Sequence, residues 1–216
     1  MLELLKQKNK DIEIFSVESV EFKKYGRIIH DIDTTEIIAV AKSIEFPKNG
    51  NVYVTAHPDF GNLAVAKEIE NKLFGAMKTQ LGYCWGYNTL MNATEWHTSS
   101  EIMITVTPLV LILGNLWDVV DGQIDSSAFK AFYLPQGTVV EVYATSLHYC
   151  PCQVSDGGFG CVIGLPEGTN TELPSESADR LLVCKNKWFI SHKDNKELET
   201  ANMAVGVTGP NIEILY

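Results

Sequence analysis

The 216-residue sequence predicts a mainly β fold, an antiparallel barrel or sandwich preceded by a part that contains helices. From Gly82 onward the chain consists of short runs rich in Val, Ile, Thr and aromatic residues, such as "TVVEVYA" and "FGCVIGLP". Stretches rich in Gly, Pro, Asn and Asp, such as "SDGG" and "PEGTN", separate these runs. Hydrophobic residues make up 45% of the chain, enough for one sizeable core. Many short strands around one core indicate a barrel or a sandwich.

The first eighty residues mix strand and helix patterns. "IEIFSV" and "NVYVTAH" predict strands, and "NLAVAKEIENKLFGAMK" predicts an amphipathic helix. "TTEIIAVAKSIEF" fits a helix by its apolar spacing but is equally compatible with a strand, because Ile and Val are abundant in it. No linker marks a firm boundary, so we predict one domain over residues 1–216, with an α/β part (1–80) packed on a barrel (81–216).

Composition excludes several classes of partner. The formal net charge is −10, and no basic cluster reverses it locally, so we expect no binding to nucleic acid or to a membrane surface. The N-terminal segment lacks the pattern of a signal peptide, and no apolar run is long enough to span a bilayer. We therefore expect a cytoplasmic protein whose five cysteines are free thiols.

The stretch "EWHTSSE" places Glu95, His97 and Glu101 at alternate positions, which share one face if the segment is extended. A second stretch, "GTVVEVYATSLHYCPC", predicts a strand that carries Glu141, a tight turn, and a strand that opens with His148. Because a single strand cannot surround an ion, ligands must come from separate strands. Glu95, His97, Glu101 and His148 would together form a mixed nitrogen and oxygen site suited to Mn, Fe, Ni, Zn or Co. The alternative is a set of solvated charges and ordinary hydrogen-bonded histidines.

The two stretches resemble the motifs of the cupins. In that family a first motif, His-x-His followed by Glu, pairs with a second motif of the form Pro-x-Gly-x-x-His. "EWHTSSE" is similar to the first, with Glu95 in place of the leading His, and "YATSLH" matches the second in register, with His148 at the ligand position. Tyr143 and Thr145 stand where Pro and Gly are usual. The resemblance covers about residues 82–170 and implies a cupin double-stranded β-helix, a jelly-roll barrel, with an α/β N-terminal extension.

The whole chain also resembles an uncharacterised bacterial cupin-like family, which is distantly similar to ureidoglycolate lyases and shares its scaffold with cupin sugar isomerases. These similarities imply a metal-dependent enzyme that acts on a small hydroxylated substrate, with sugar isomerisation or epimerisation first and ureidoglycolate lyase-like cleavage second. The rival is a non-catalytic cupin that binds a sugar or an acid. Glu101 and Glu141 are the candidates for the catalytic proton transfer. Glu141 is equally compatible with a partner of a metal ligand or with a surface strand residue. Cupins commonly form dimers, so we also predict a homodimer.

The other histidines and an aromatic group rank lower as site residues. His30 and His57 lie near predicted turns, and His192 in "FISHKDN" is interpreted as a loop residue. The alternating aromatic residues in "GYCWGYN" would line a cavity or a dimer interface, but core packing is the favoured interpretation.

Overall fold

The computed structural model describes residues 1–201 and 203–216, and its strands form three sheets. The helices are α1 (Leu2–Lys8), α2 (Thr35–Lys42), α3 (Ala64–Leu73) and α4 (Lys196–Thr200). The first nine strands are β1 (Ile14–Ser16), β2 (Gly26–Ile29), β3 (Asn51–Val54), β4 (Thr79–Gly86), β5 (Ala93–Trp96), β6 (Glu101–Thr105), β7 (Leu109–Asn115), β8 (Ile124–Asp125) and β9 (Lys130–Leu134). The others are β10 (Val139–Val142), β11 (Ser146–Leu147), β12 (Cys152–Gln153), β13 (Phe159–Pro166), β14 (Leu182–Cys184), β15 (Lys187–His192) and β16 (Val205–Thr208).

Six strands form the largest sheet, in the order β2-β10-β6-β13-β4-β3, and all its neighbours are antiparallel. A second sheet runs β1-β9-β7, with β11 and β12 both paired to β7. Side chains from the two sheets meet in one core, in which Met103 and Val140 of the first pack with Leu111 and Phe132 of the second. Two curved sheets that face each other across one core make a jelly-roll barrel.

The outer face of the six-stranded sheet is also buried, because α2 and α3 cover it. Ile102 and Ile104 of β6 pack there against Ile37 of α2 and Ile69 of α3. The helix interpretation of "TTEIIAVAKSIEF" is therefore the one the structure adopts, since a helical spacing presents its apolar residues to this sheet. The central strands β6 and β13 are almost wholly buried because both of their faces are covered.

A third sheet, β14-β15-β16-β8 with β5 paired to β15, lies beside the second sheet. Its Ile190 and Val207 pack against Val110 and Ala131 of the second sheet. Residues 1–80 contribute β1, β2 and β3 to the barrel's own sheets, in addition to three helices. Within the described residues, no helix has the length and apolar character needed to cross a membrane.

Candidate metal centre

The segment "EWHTSSE" is not one extended strand, as the sequence analysis assumed. β5 ends at Trp96 in the third sheet, and β6 begins at Glu101 in the six-stranded sheet. The chain bends between them because the Asn186 side chain accepts hydrogen bonds from the Thr98 backbone N–H at 2.8 Å and from its hydroxyl at 2.6 Å. The predicted carboxylates and imidazole still converge, but the bend brings them together rather than strand alternation.

A backbone bridge joins the two predicted motifs. Glu95 and His148 form an antiparallel β-bridge, in which the Glu95 N–H donates to the His148 carbonyl at 2.7 Å and the reverse bond measures 3.0 Å. Residues that face each other in such a pair have adjacent side chains. The bridge therefore holds His148 next to Glu95, although 53 positions separate them in the numbering.

The four predicted ligands meet at one buried point. Oε2 of Glu101 lies 3.5 Å from Nε2 of His97 and 3.4 Å from Nε2 of His148. Oε1 of Glu95 lies 3.9 Å from Nε2 of His97. Ligand atoms of Glu95, His97 and His148 all lie within 4.8 Å of one another, and each of the four side chains belongs to a buried residue. Such separations fit a group that surrounds a single ion.

The two imidazoles are oriented as metal ligands are. Nδ1 of His97 lies 2.6 Å from the Asn186 carbonyl oxygen, and Nδ1 of His148 lies 3.1 Å from the Ser146 carbonyl oxygen. A carbonyl only accepts, so Nδ1 carries the hydrogen in both rings. Nε2 of each ring is buried and has no hydrogen-bond partner of good geometry among the described residues. A neutral imidazole with a bonded Nδ1–H and a free Nε2 lone pair is the arrangement that a divalent metal requires.

Without a metal, Glu101 and His148 stabilise each other as an ion pair. Burial acts to raise the pKa of Glu101, but the charges and hydrogen bonds of His148 and His97 outweigh it and lower that pKa to about 2. Burial acts to lower the pKa of His148, but Glu101 outweighs it and raises that pKa to about 9. In the metal-free protein the proton on His148 therefore takes the place of a cation next to Glu101.

Lys187, which the sequence analysis missed, belongs to the same group. Its ammonium forms an ion pair with Oε2 of Glu95, and only 16% of its side chain is exposed. Burial acts to lower the pKa of Lys187, but Glu95 outweighs it and raises that pKa, so the ammonium keeps its charge. A lysine at the start of the apolar strand β15 is a sequence feature that could have indicated a site residue. Its partner Glu95 could not be predicted from the sequence, because the pairing of β15 with β5 is a long-range contact.

These groups open onto a cavity of about 120 Å³ inside the barrel. Its polar wall contains Tyr53, Glu95, Glu101, His148, Asn170 and Lys187, and its apolar wall includes Met103 and Ile163. The Tyr53 hydroxyl accepts a hydrogen bond from the Asn170 amide at 3.1 Å. Burial raises the pKa of Tyr53, so this hydroxyl stays protonated at neutral pH and can donate its hydrogen to a ligand.

Glu141, the second predicted catalytic residue, is placed elsewhere. Its neighbours Val140 and Val142 point into the barrel core, so Glu141 lies on the opposite face of β10. There its Oε2 lies 2.6 Å from Nε of Arg27 on the adjacent strand β2. The residue is not part of the cavity wall. The expected placement in the cavity is therefore wrong, because the strand register turns this side chain outward.

The structure also shows where His192 and the aromatic residues Tyr83 and Trp85 lie. His192 is the last residue of β15 and is fully buried, so the interpretation as a loop residue is wrong. Tyr83 and Trp85 stack with ring centroids 4.8 Å apart and belong to the core beneath the helices, as the favoured interpretation predicted. Neither ring lines the cavity.

Comparison with solved structures finds barrel proteins that share little sequence with this chain. A variant of oxalate decarboxylase from Bacillus subtilis matches with 12% identity and a TM-score of 0.34, over 52% of this chain and 27% of that one. A variant of salicylate 1,2-dioxygenase from Pseudoaminobacter salicylatoxidans matches with 8% identity and a TM-score of 0.34, over 73% and 37%. Hazelnut (Corylus avellana) vicilin matches with 9% identity and a TM-score of 0.35, over 80% and 45%.

This chain therefore spans less than half the length of those three proteins. At this level of similarity their activities do not carry over to it. In a comparison with curated proteins, no sequence matches this chain.

The fold and the convergent side chains define a cupin-like jelly-roll barrel with a group of Glu and His residues that can hold a metal ion. The chain belongs to the family described as Domain of unknown function (DUF4867), whose model matches residues 14–212.

Proposed function

We propose that this chain is a metal-dependent enzyme that acts on a small hydroxylated substrate inside the barrel. The observation that carries the proposal is the pair of buried imidazoles whose Nε2 atoms are free and lie next to Glu101. Histidine nitrogens and carboxylate oxygens form the donor set of many divalent-metal enzymes. Glu95, Glu101 and His148 lie on the wall of a cavity, which gives a bound molecule access to the same point.

His97, His148 and Glu101 would hold the ion, and Glu95 would complete the group. When bound, the ion supplies a Lewis acid that polarises a hydroxyl or carbonyl oxygen of the substrate and acidifies the neighbouring C–H or O–H bond. Met103 and Ile163 form an apolar part of the cavity wall.

Proton transfer is assigned to Glu95 rather than to Glu101. Glu101 lies between the Nε2 atoms of His97 and His148, a position that suits a metal ligand better than a proton acceptor. Glu95 presents one oxygen towards His97 and the other to Lys187, and it lines the cavity. Tyr53, which keeps its proton, can donate a hydrogen bond to an oxygen that gains charge during the reaction.

Isomerisation or epimerisation of a hydroxylated substrate uses this arrangement directly, since both reactions remove and return a proton next to a polarised oxygen. Ureidoglycolate lyase-like cleavage is the second candidate, because it too begins with proton transfer from a polarised hydroxyl.

The five free thiols support our expectation of a reducing, cytoplasmic setting.

Metal analysis of the purified protein tests the site. We expect about one equivalent of a divalent transition metal in the unaltered protein, and a loss of most of it in His97→Ala and His148→Ala, because each substitution removes a ligand. His30→Ala is the matched control, since His30 is an exposed histidine outside the site, and it should keep the metal. Equal metal content in all four proteins would contradict the proposal.

Solvent deuterium exchange tests the chemistry. The metal-loaded protein is incubated in deuterated buffer with pentoses, hexoses, uronates, ureidoglycolate and small hydroxy acids, and proton NMR follows the C–H signal next to each hydroxyl. We expect loss of that signal for an isomerase or epimerase substrate, and new product signals for a lyase substrate. Thermal stabilisation by one of these compounds without exchange or product would support a non-catalytic binding protein instead.

A further inference from the structure

The charge balance of the cavity identifies a class of substrate, on the condition that the proposed metal site is correct. Two carboxylates, Glu95 and Glu101, balance a divalent cation, and imidazoles bind as neutral ligands. With the ion and both carboxylates counted, Lys187 leaves the site with one net positive charge, because these are the formally charged groups among the described side chains that line the cavity once the imidazoles bind as neutral ligands. A buried site with a net charge is unfavourable, so the cavity favours a ligand with one negative charge, which the Lys187 ammonium can contact in addition to Glu95.

The geometry of the cavity places the Lys187 ammonium close to the candidate metal centre. Lys187 contacts Oε2 of Glu95, while Oε1 of the same carboxylate faces His97, so a single carboxylate separates the ammonium from the candidate metal centre. The ammonium has three N–H donors and can serve Glu95 and a ligand together. A molecule that reaches both places needs an anionic group and an oxygen only a few bonds apart.

The size of the cavity also favours a small ligand. A volume of about 120 Å³ corresponds to roughly four water molecules at about 30 Å³ each. This space suits an acid of a few carbon atoms better than the ring of a hexose. The Tyr53 hydroxyl and the Asn170 amide on the same wall provide hydrogen bonds for a further hydroxyl group.

We propose that Lys187 is the anion-recognition residue of this cavity and that the substrate is a small 2-hydroxy acid. Its carboxylate binds the Lys187 ammonium, and its hydroxyl oxygen faces Glu101 and His148. Sugars without a carboxylate leave the net positive charge of the site in place and bind weakly.

Calorimetric binding to the metal-loaded protein tests this assignment, with no turnover required. The probes are glycolate and glycerate, each with an uncharged counterpart, glycolamide and glycerol. We expect the acids to bind about tenfold or more tightly than their counterparts, which corresponds to about 1.4 kcal/mol. Lys187→Met should remove most of this preference for the acids over their neutral counterparts. Lys187→Arg, which keeps the charge, should restore the preference.

Lys185→Met is the matched control, because it removes the same charge two residues away at an exposed position outside the cavity. It should bind all four probes as the unaltered protein does. Equal binding of acids and neutral probes by the unaltered protein overturns the proposal, and so does a preference for acids that persists in Lys187→Met. If Lys187→Met does not fold, Lys187→Gln, which removes the charge but keeps a polar side chain, serves in its place and should lose the preference for acids.

Metal content distinguishes a failure of the proposed metal site from a failure of the proposed role of Lys187. A protein that retains its metal in the His97→Ala and His148→Ala variants contradicts the metal site itself. A protein that loses metal in those variants, but binds acids no better than neutral probes, contradicts only the role of Lys187.

Discussion

At the scale of single residues, the site depends on how each ionisable group is paired. Glu95 contacts Lys187, whereas Glu101 lies between two imidazoles. Two carboxylates in one cavity thus have different electrostatic surroundings, and environments of this kind assign carboxylates to different roles. Glu101 is suited to holding an ion and Glu95 to moving a proton.

Substitution of each carboxylate by its amide distinguishes these roles. We expect Glu101→Gln to lose metal, because a neutral amide replaces the charge between the two imidazoles. Glu95→Gln should keep much of the metal but lower the rate of solvent deuterium exchange by roughly 10²–10⁴-fold, the usual contribution of a general base. Metal analysis and NMR on the same preparations measure both effects. Loss of metal in Glu95→Gln with retention in Glu101→Gln would reverse the assignment.

The stability of the metal-free protein should depend on pH through His148. The pKa of His148 rises from 6.5 to about 9 on folding, so its contribution is complete below pH 6.5 and disappears as the pH rises through 9. The pKa of Glu101 falls from 4.5 to about 2, so its contribution is complete above pH 4.5 and disappears as the pH falls towards 2. The pair therefore stabilises the fold most between pH 4.5 and pH 6.5, where both contributions are complete.

Urea denaturation in the presence of a chelator measures this dependence. We expect the free energy of unfolding to decrease between pH 6.5 and pH 9 in the unaltered protein, and to decrease less in His148→Gln, which cannot bind the proton. The same slope in both proteins would show that other groups are responsible.

At the scale of elements, close strand contacts position the cavity wall. β3, which carries Tyr53, pairs with β4 at the edge of the six-stranded sheet. Gly82 of β4 allows the end of β3 to approach, since a Cβ there would lie 2.5 Å from the Val54 carbonyl oxygen and 2.8 Å from that of Thr55. Backbone atoms cannot move aside as a side-chain tip can, so the small residue is required by the packing.

We therefore expect Gly82→Ala to destabilise the protein by about 1–3 kcal/mol, the usual cost of forcing extra atoms into a packed interior. Hydrogen exchange should also accelerate in β3, because the strand is displaced from its partner. Gly61→Ala is the control, since no atom lies within 4 Å of a Cβ at that position, and it should change stability by less than about 0.5 kcal/mol. Equal stability of the two variants would contradict this account of the β3–β4 contact.

In the whole molecule, the centre is assembled from the two sheets of the barrel and the third sheet beside it. β5 and β15 of the third sheet carry Glu95 and Lys187, β6 of the six-stranded sheet begins with Glu101, and His148 follows β11, which pairs with β7. A bound ion therefore links segments that are distant in the chain, and it stabilises only the folded state. The homodimer and the single-domain organisation stay predictions, to be measured by light scattering and by the cooperativity of unfolding.

Addition of metal should raise the melting temperature. An ion at about 1,000 times its Kd contributes about 4.1 kcal/mol, and a chain of this size gains roughly 2–4 °C per kcal/mol, so we expect an increase of roughly 8–16 °C. Differential scanning calorimetry of the chelated protein, with and without Zn²⁺ or Mn²⁺, measures it. His30→Ala should show the full increase and His148→Ala little of it. No increase with either ion in the unaltered protein would contradict a preformed site.

Features that depend on local spacing could be predicted from the sequence. Runs of β-branched and aromatic residues between turn residues indicated the barrel, because strand preference and turn chemistry act on neighbouring residues. "EWHTSSE" with His148 indicated a group that converges, because buried charges are costly without partners, but a bend and not strand alternation brings these side chains together.

Which distant groups meet depends on how the strands pair in the folded chain. The fold brought Lys187 to Glu95 through the pairing of β15 with β5, and it turned Glu141 outward to Arg27 through the register of β10 with β2. Strand pairing and register arise from contacts between residues far apart in the chain, and a one-residue change of register reverses the face of every side chain in a strand. No local pattern in this sequence contains that information.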